Sequence, residues 1–220
     1  MSLDIRQPAI SSVIKLTGVR KTIHQRLKFS KNEYPHSYLI ILVDAKNMIQ
    51  KRNELNYKPS YNAIIMKNIA EAIKKHPLLN SYMEGDEIKV LSDINISIAV
   101  DTPFGLMVPV VSNVDKKSLL EIDKEINALA EKARQNKLTL YDVTGGTITL
   151  TNLGSFGIDL FIPIINPPQT SIIGVGRINE DTKFYLTLSF NHSVVDGAEA
   201  ARFLNDLKQL IEGDFTLNLF

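Results

Sequence analysis

Residues 185–198 read Tyr185-Leu186-Thr187-Leu188-Ser189-Phe190-Asn191-His192-Ser193-Val194-Val195-Asp196-Gly197-Ala198, and the chain changes period inside this stretch. From Tyr185 the apolar residues alternate, as in a strand. From Ala198 to Ile211 they return at helical spacing. His192 therefore sits where a strand ends, and Asp196 at the entrance of a helix. One reading makes Asp196 an N-cap and Gly197 an easement of the turn. The other takes an imidazole four residues from a carboxylate, in a tight connection, as a base with a partner.

Working outward, the same two periods recur. Thr17 to about Lys28 is expected to be a helix capped by Thr17, with Val19, Ile23 and Leu27 on one side. His36–Asp44 reads as a buried strand, and Ser60–Lys75 as a helix capped by Ser60 and stopped by Pro77. Glu84-Gly85-Asp86 marks a turn before strands around Ile88–Leu91 and Ile94–Val100, and Met107–Val111 is a further apolar run. Ser118–Arg134 carries Leu119, Ile122, Ile126, Leu129 and Ala133 on one face, as an amphipathic helix should. Gly146 to His192 reads as strands and turns. Helices and strands in this irregular order predict an α+β fold with a mixed sheet, not a doubly wound nucleotide fold.

Composition removes several function classes. A net charge of +1 provides no field to draw in nucleic acid or a membrane surface. The absence of cysteine excludes disulfides, a thiol nucleophile and thiolate metal sites. No apolar run approaches the ~20 residues that span a bilayer. Met1–Ile10 lacks the pattern of a secretory signal, so a cytoplasmic location is expected (the mitochondrial matrix in a eukaryote). Gly174-Val175-Gly176 begins like a dinucleotide loop, but Asn179 stands at the third glycine position and no βαβ unit surrounds it. His24, His36 and His76 read as surface or turn residues, with a channel-lining place open to His36.

His192-Ser193-Val194-Val195-Asp196-Gly197 resembles the His-x-x-x-Asp-Gly signature of the acyltransferase (E2) components of 2-oxoacid dehydrogenase complexes and of chloramphenicol acetyltransferases. The resemblance extends in order along the chain. It includes Arg20-Lys21-Thr22-Ile23, Ile98–Val111, the stretch Gly145-Gly146-Thr147 to Thr151-Asn152-Leu153-Gly154, and Pro163–Gln169. It implies a chloramphenicol acetyltransferase-like α/β sandwich, with residues 16–220 as the catalytic domain and 1–15 as an extension or linker remnant. It implies acyl transfer between a lipoyl group carried on a separate domain and coenzyme A, without a metal. In that picture His192 is the general base, the Thr151 hydroxyl holds the oxyanion, and Asp196 pairs with Arg20 to fix the loop. Arg26 competes for that pairing, and Gly197 and Asn152 support the site.

The resemblance further implies a homotrimer with active sites between subunits, built into a larger shell. The decarboxylase/dehydrogenase (E1) and dihydrolipoamide dehydrogenase (E3) partners would bind through domains not present in this sequence. The tail Phe215–Phe220 suits either contact with neighbouring trimers or packing on its own core. Family members mostly carry Asp before the histidine and Arg after it, where this chain has Asn191 and Ser193, so placement of the His192 ring is expected to differ. Two other functions fit the same signature: a chloramphenicol-type O-acetyltransferase and a non-catalytic scaffold core.

Overall fold

The computed structural model describes residues 8–213. The expected Phe215–Phe220 tail lies outside the described residues. A six-stranded mixed sheet takes the order β1 (His36–Asp44), β8 (Lys183–Asn191), β7 (Ser171–Val175), β6 (Ile148–Asn152), β4 (Ile96–Ile98), β5 (Val110–Val111). The β7–β6 and β6–β4 pairs are parallel and the others antiparallel. A hairpin of β2 (Ser81–Glu84) and β3 (Glu87–Val90) stands apart, turning at Gly85–Asp86 as expected.

Helices α3 (Tyr61–Ile73), α4 (Leu119–Arg134) and α5 (Gly197–Glu212) cover one face of the sheet, with α3 packed against both of the others. Each has an apolar stripe, and α3 and α4 are capped by side chains where they start. Ser60 Oγ accepts from Ala63 N at 3.2 Å. Ser118 and Glu121 form a reciprocal capping box, which satisfies two donors that a helix start leaves bare. The core runs from α3 and α4 through Ile96, Ile148, Leu150 and Ile173 to Phe184, Leu186, Leu188 and Phe190 of β8. The sheet is mixed and helix-flanked, as the sequence predicts.

Three expectations need correction. Helix α2 (Lys46–Glu54) has no counterpart in the sequence reading; it buries only Met48, too thin a stripe to give a period. The first helix, α1, runs Gly18–Glu33, beyond Lys28, and Thr17 makes no side-chain cap. Its apolar stripe is not buried either: Val19 is 52% and Leu27 40% exposed. On the other sheet face the 158–168 segment is held by a polar link, Ser189 Oγ to Pro163 O (2.7 Å), and α1 is tied to that segment through Ser30 Oγ to Ile165 O (2.7 Å). Ile40, Leu42 and Tyr185 stay exposed on it.

Gly174-Val175-Gly176 is the end of β7 and its exit, not a phosphate loop. Here the chain at 153–159 crosses closely, with Arg177 N donating to Ile158 O at 2.8 Å. A Cβ on Gly176 would lie 1.8 Å from the Asp159 carbonyl oxygen, a backbone atom that no rotamer change can move. Gly176→Ala is expected to cost about 1–3 kcal/mol and to lower the melting temperature by at least ~2 °C in thermal unfolding.

Candidate active site

Strand β8 ends on Asn191, which is fully buried. Its backbone N–H donates to Thr170 O at 2.8 Å, and its carbonyl accepts from Val194 N and Val195 N, both at 3.0 Å. Its side-chain oxygen accepts from Ser193 N at 3.0 Å, and its Nδ2 points at Met83 Sδ, 3.8 Å away. The next backbone N–H, of His192, donates to Pro35 O at 2.9 Å. Val194 and Val195 are buried. The backbone around His192 is thus held on every side, while the imidazole is exposed. The ring lies 5.6 Å from the Phe190 ring, centroid to centroid, and a Cβ on Gly197 would sit 4.0 Å from its Nε2. No hydrogen bond from a described residue occupies either ring nitrogen. Asp196 occupies the N-cap position of α5, but its exposed carboxylate makes no capping bond.

Thr151 is at the other end of the sheet. It pairs with Gly174, which pairs with Thr187. His192 lies five residues beyond Thr187 along β8. At ~3.3 Å per residue and ~4.8 Å per strand, the two side chains of one chain are separated by on the order of 20 Å. The half-buried Thr151 hydroxyl has no partner among the described residues. Asn152 closes the turn that follows, accepting from Gly154 N and donating to Asn62 Oδ1, both at 2.8 Å.

Beside this turn opens a cleft of about 510 Å³ between Arg52, Tyr61, Asn62, Asn152 and Arg177. Arg52 donates through Nε to Pro59 O (2.6 Å) and lies 4.8 Å over the Tyr61 ring. Arg177 meets Asp159 through Nε at 2.8 Å. Each bond uses Nε, and no hydrogen bond to a described residue engages the other guanidinium nitrogens. The sequence reading missed both arginines. They are 125 residues apart (177 − 52), one of them on the unpredicted α2.

The expected Arg20–Asp196 ion pair is not formed within the chain; both side chains are exposed, without partners among the described residues. The physical reason is the seat of α1. Its competitor Arg26 donates to Pro167 O at 3.0 Å, which ties the helix over the 163–168 segment instead of the start of α5. His36 belongs to the same tie. Its Nε2 accepts from Ile165 N at 3.3 Å, which leaves Nδ1 to donate to Tyr34 O at 2.9 Å. His76, expected at the surface, is buried between Glu199 and Asp206.

The 2-oxoacid dehydrogenases acyltransferase (catalytic domain) family matches residues 8–219. The lipoamide acyltransferase component of the branched-chain alpha-keto acid dehydrogenase complex of Bacillus subtilis is 40% identical over 219 residues, covering 90% of this chain and 52% of that protein. The chain spans about half the length of the curated relatives it matches. A truncated catalytic core of the 2-oxoacid dehydrogenase multienzyme complex from Thermoplasma acidophilum superimposes with a TM-score of 0.87 at 37% identity, covering 92% and 98% of the two chains. The dihydrolipoamide acetyltransferase of Azotobacter vinelandii gives 0.85 at 29% identity, covering 98% and 99%. Its crystallographic and enzymatic investigation concerned the role of a serine, a histidine and an asparagine in catalysis. A chloramphenicol acetyltransferase shares the fold, at 0.58 and 13% identity over 91% of this chain and 99% of that one.

Burial holds the His36 imidazole below the ordinary histidine range, partly offset by its bond to Tyr34 O and reinforced by Lys31. The unfolded chain therefore takes up this proton first as pH falls. The stability tied to neutral His36 is present above the ordinary histidine value and is lost as pH drops through the folded one. The urea midpoint should fall between about pH 7.5 and about pH 5.5. His36→Gln should shrink that fall; an unchanged fall would remove His36 from the account.

Proposed function

This chain belongs to the catalytic-domain family of the 2-oxoacid dehydrogenase acyltransferases, and on that premise we propose that it moves an acyl group between a dihydrolipoyl thiol and coenzyme A. In this reading the domain is residues 16–220 with 1–15 as an extension, the lipoyl group arrives on a separate domain, and E1 and E3 enzymes are the partners. The observation that carries the reading is the separation of Thr151 from His192. Each has an unengaged polar group, one at either end of the sheet, so one chain holds two half-sites. Two copies side by side make a whole one, with His192 from one and Thr151 from its neighbour. Exposed apolar residues on α1, on β1 and at Phe156–Ile162 support such an assembly, a trimer within a larger core.

The chemistry then follows from thiol acidity. A thiol of pKa ~8.5 is only a few per cent thiolate near neutrality. Neutral His192 takes the proton as sulfur attacks the thioester carbonyl, and the Thr151 hydroxyl donates to the oxyanion that forms. The tetrahedral centre collapses, the C–S bond to the first carrier breaks, and the imidazolium returns its proton to the leaving sulfur. Arg52 and Arg177, both lining the cleft, suit the phosphates of coenzyme A. Asp196 serves as a polar group at the start of α5. In the Azotobacter enzyme the asparagine whose role was investigated stands four positions after the histidine, the spacing of Asp196 from His192. Of the site-supporting residues, Gly197 and Asn152 keep that role, while Arg20 is not paired with Asp196 in this reading. No helix among the described residues is long and apolar enough to cross a membrane, and we place the domain in the cytoplasm or the mitochondrial matrix.

His192→Ala should lower the rate of acyl transfer from acyl-coenzyme A to dihydrolipoamide by ~10²–10⁴-fold, and Thr151→Ala by ~10²–10³-fold. Co-expressed, the two variants should regain about a quarter of the sites by random assortment within a closed ring. A wild-type rate in His192→Ala would end the mechanism. No recovery on co-expression would end the shared site. Faster transfer to chloramphenicol than to dihydrolipoamide would favour an O-acetyltransferase.

A further inference from the structure

His76 follows the last turn of α3 and is 6% exposed. Its backbone is fixed by His76 N to Ile73 O (2.9 Å) and Leu79 N to His76 O (3.1 Å). Both ring nitrogens are taken: Nδ1 is 2.8 Å from Glu199 Oε1 and Nε2 is 3.1 Å from Asp206 Oδ2. Phe203 meets the ring edge-on, 5.8 Å away. Glu199, Phe203 and Asp206 follow at intervals of four and three, so they share one face of α5. Arg202 backs Glu199 at 2.7 Å, and Lys75 stands 3.8 Å from Asp206. The Glu199 carboxyl is held below the usual carboxylate range, first by its bond from His76 and then by that from Arg202.

Helix α5 does not need this clasp to stay on the core. Ala200, Phe203, Leu204, Leu207 and Ile211 are all buried. An apolar stripe, however, leaves the first turn the least constrained. Of the four residues from Gly197 to Ala200 only Ala200 is buried, and Asp196 supplies no side-chain cap. That turn carries Gly197, where an added Cβ would reach to 4.0 Å from the His192 Nε2. We propose that His76, through its bond to Glu199, is a positioning residue for His192: it fixes the first turn of α5, and with it the place of Gly197 against the imidazole. The inference rests on His192 acting as the base. Asp206 grips the same ring from mid-helix, between Phe203 and Leu207, where packing already holds the backbone. The two carboxylates therefore have different consequences although they bind one side chain.

The test uses the full chain and steady-state acyl transfer from acyl-coenzyme A to dihydrolipoamide. Glu199→Ala lowers kcat by at least ~10-fold, toward the ~10²-fold that a misplacement of about 1 Å costs, with KM unchanged. Glu199→Gln recovers most of the loss, because its amide oxygen still accepts from Nδ1. Asp206→Ala lowers the melting temperature by a few degrees, about 2–4 °C, and leaves kcat near wild type. His76→Phe, which keeps the ring and its contact with Phe203, follows Glu199→Ala in kcat. A wild-type kcat in Glu199→Ala, or an equal kcat loss in Asp206→Ala, overturns the proposal. His192→Ala in the same assay reports on the base assignment separately. If it keeps the wild-type rate, the base reading fails; if it is inactive while Glu199→Ala is fully active, only the positioning role fails.

Discussion

The register of strand β8 is the constraint on which the rest depends. It is paired along its length with β1 and over Leu186–Phe190 with β7. Phe184, Leu186, Leu188 and Phe190 all point into the helix-covered core and are essentially unexposed. A slip of one residue would turn that whole set to the opposite face. Burying four large side chains at roughly 1.5–3 kcal/mol each makes the slip prohibitive. Once β8 is fixed, so is its end. His192 leaves the sheet just past the end of β8, while Thr151, level with Thr187, stands near the opposite end of the sheet in β6.

The loop after β8 divides its polar groups between two tasks. Backbone and Asn191 atoms hold the chain: Asn191 bonds through N–H, carbonyl and side-chain oxygen, and His192 through its N–H. None of these bonds uses the imidazole. Asn191 also answers the concern its identity raises. Its amide oxygen accepts from Ser193 N just as a carboxylate oxygen would, without a buried charge next to His192. The geometry of the turn thus stands on neutral hydrogen bonds, without the ionic neighbours that the family resemblance implies.

Legibility in the sequence follows the range of the interactions. Ser60 announces its helix because a cap is local, and its bond is present, whereas Thr17, read the same way, makes no side-chain cap. His36–Asp44 shows its bounds through composition alone. Gly145-Gly146-Thr147 has a packing reason that only coordinates reveal, since a Cβ on Gly146 would lie 2.0 Å from Ser97 Oγ. What stayed hidden depends on pairs distant in sequence. His76 is joined to residues 123 and 130 positions away, and nothing near it signals burial. Arg20 and Arg26 lie on one helix, and only the docking of that helix decides which one turns inward. Helix α2 buries too little to leave a period.

The stripe on α1 shows how a correct period can give a wrong burial. Val19, Ile23 and Leu27 form the helix the spacing predicts, yet Val19 and Leu27 remain in water in the single chain. The same holds for Leu42 and Tyr185, cross-strand partners on the sheet face away from α3 and α5. Periodicity reports that a face is to be buried; it does not say against what. A chain with a net charge of +1 has little self-repulsion to keep such faces apart. If the site is shared between copies as proposed, incomplete burial and an incomplete site are one property. In the assembly proposed above, the contact that covers these faces also brings one chain's His192 toward its neighbour's Thr151, so catalysis and association cannot be selected independently.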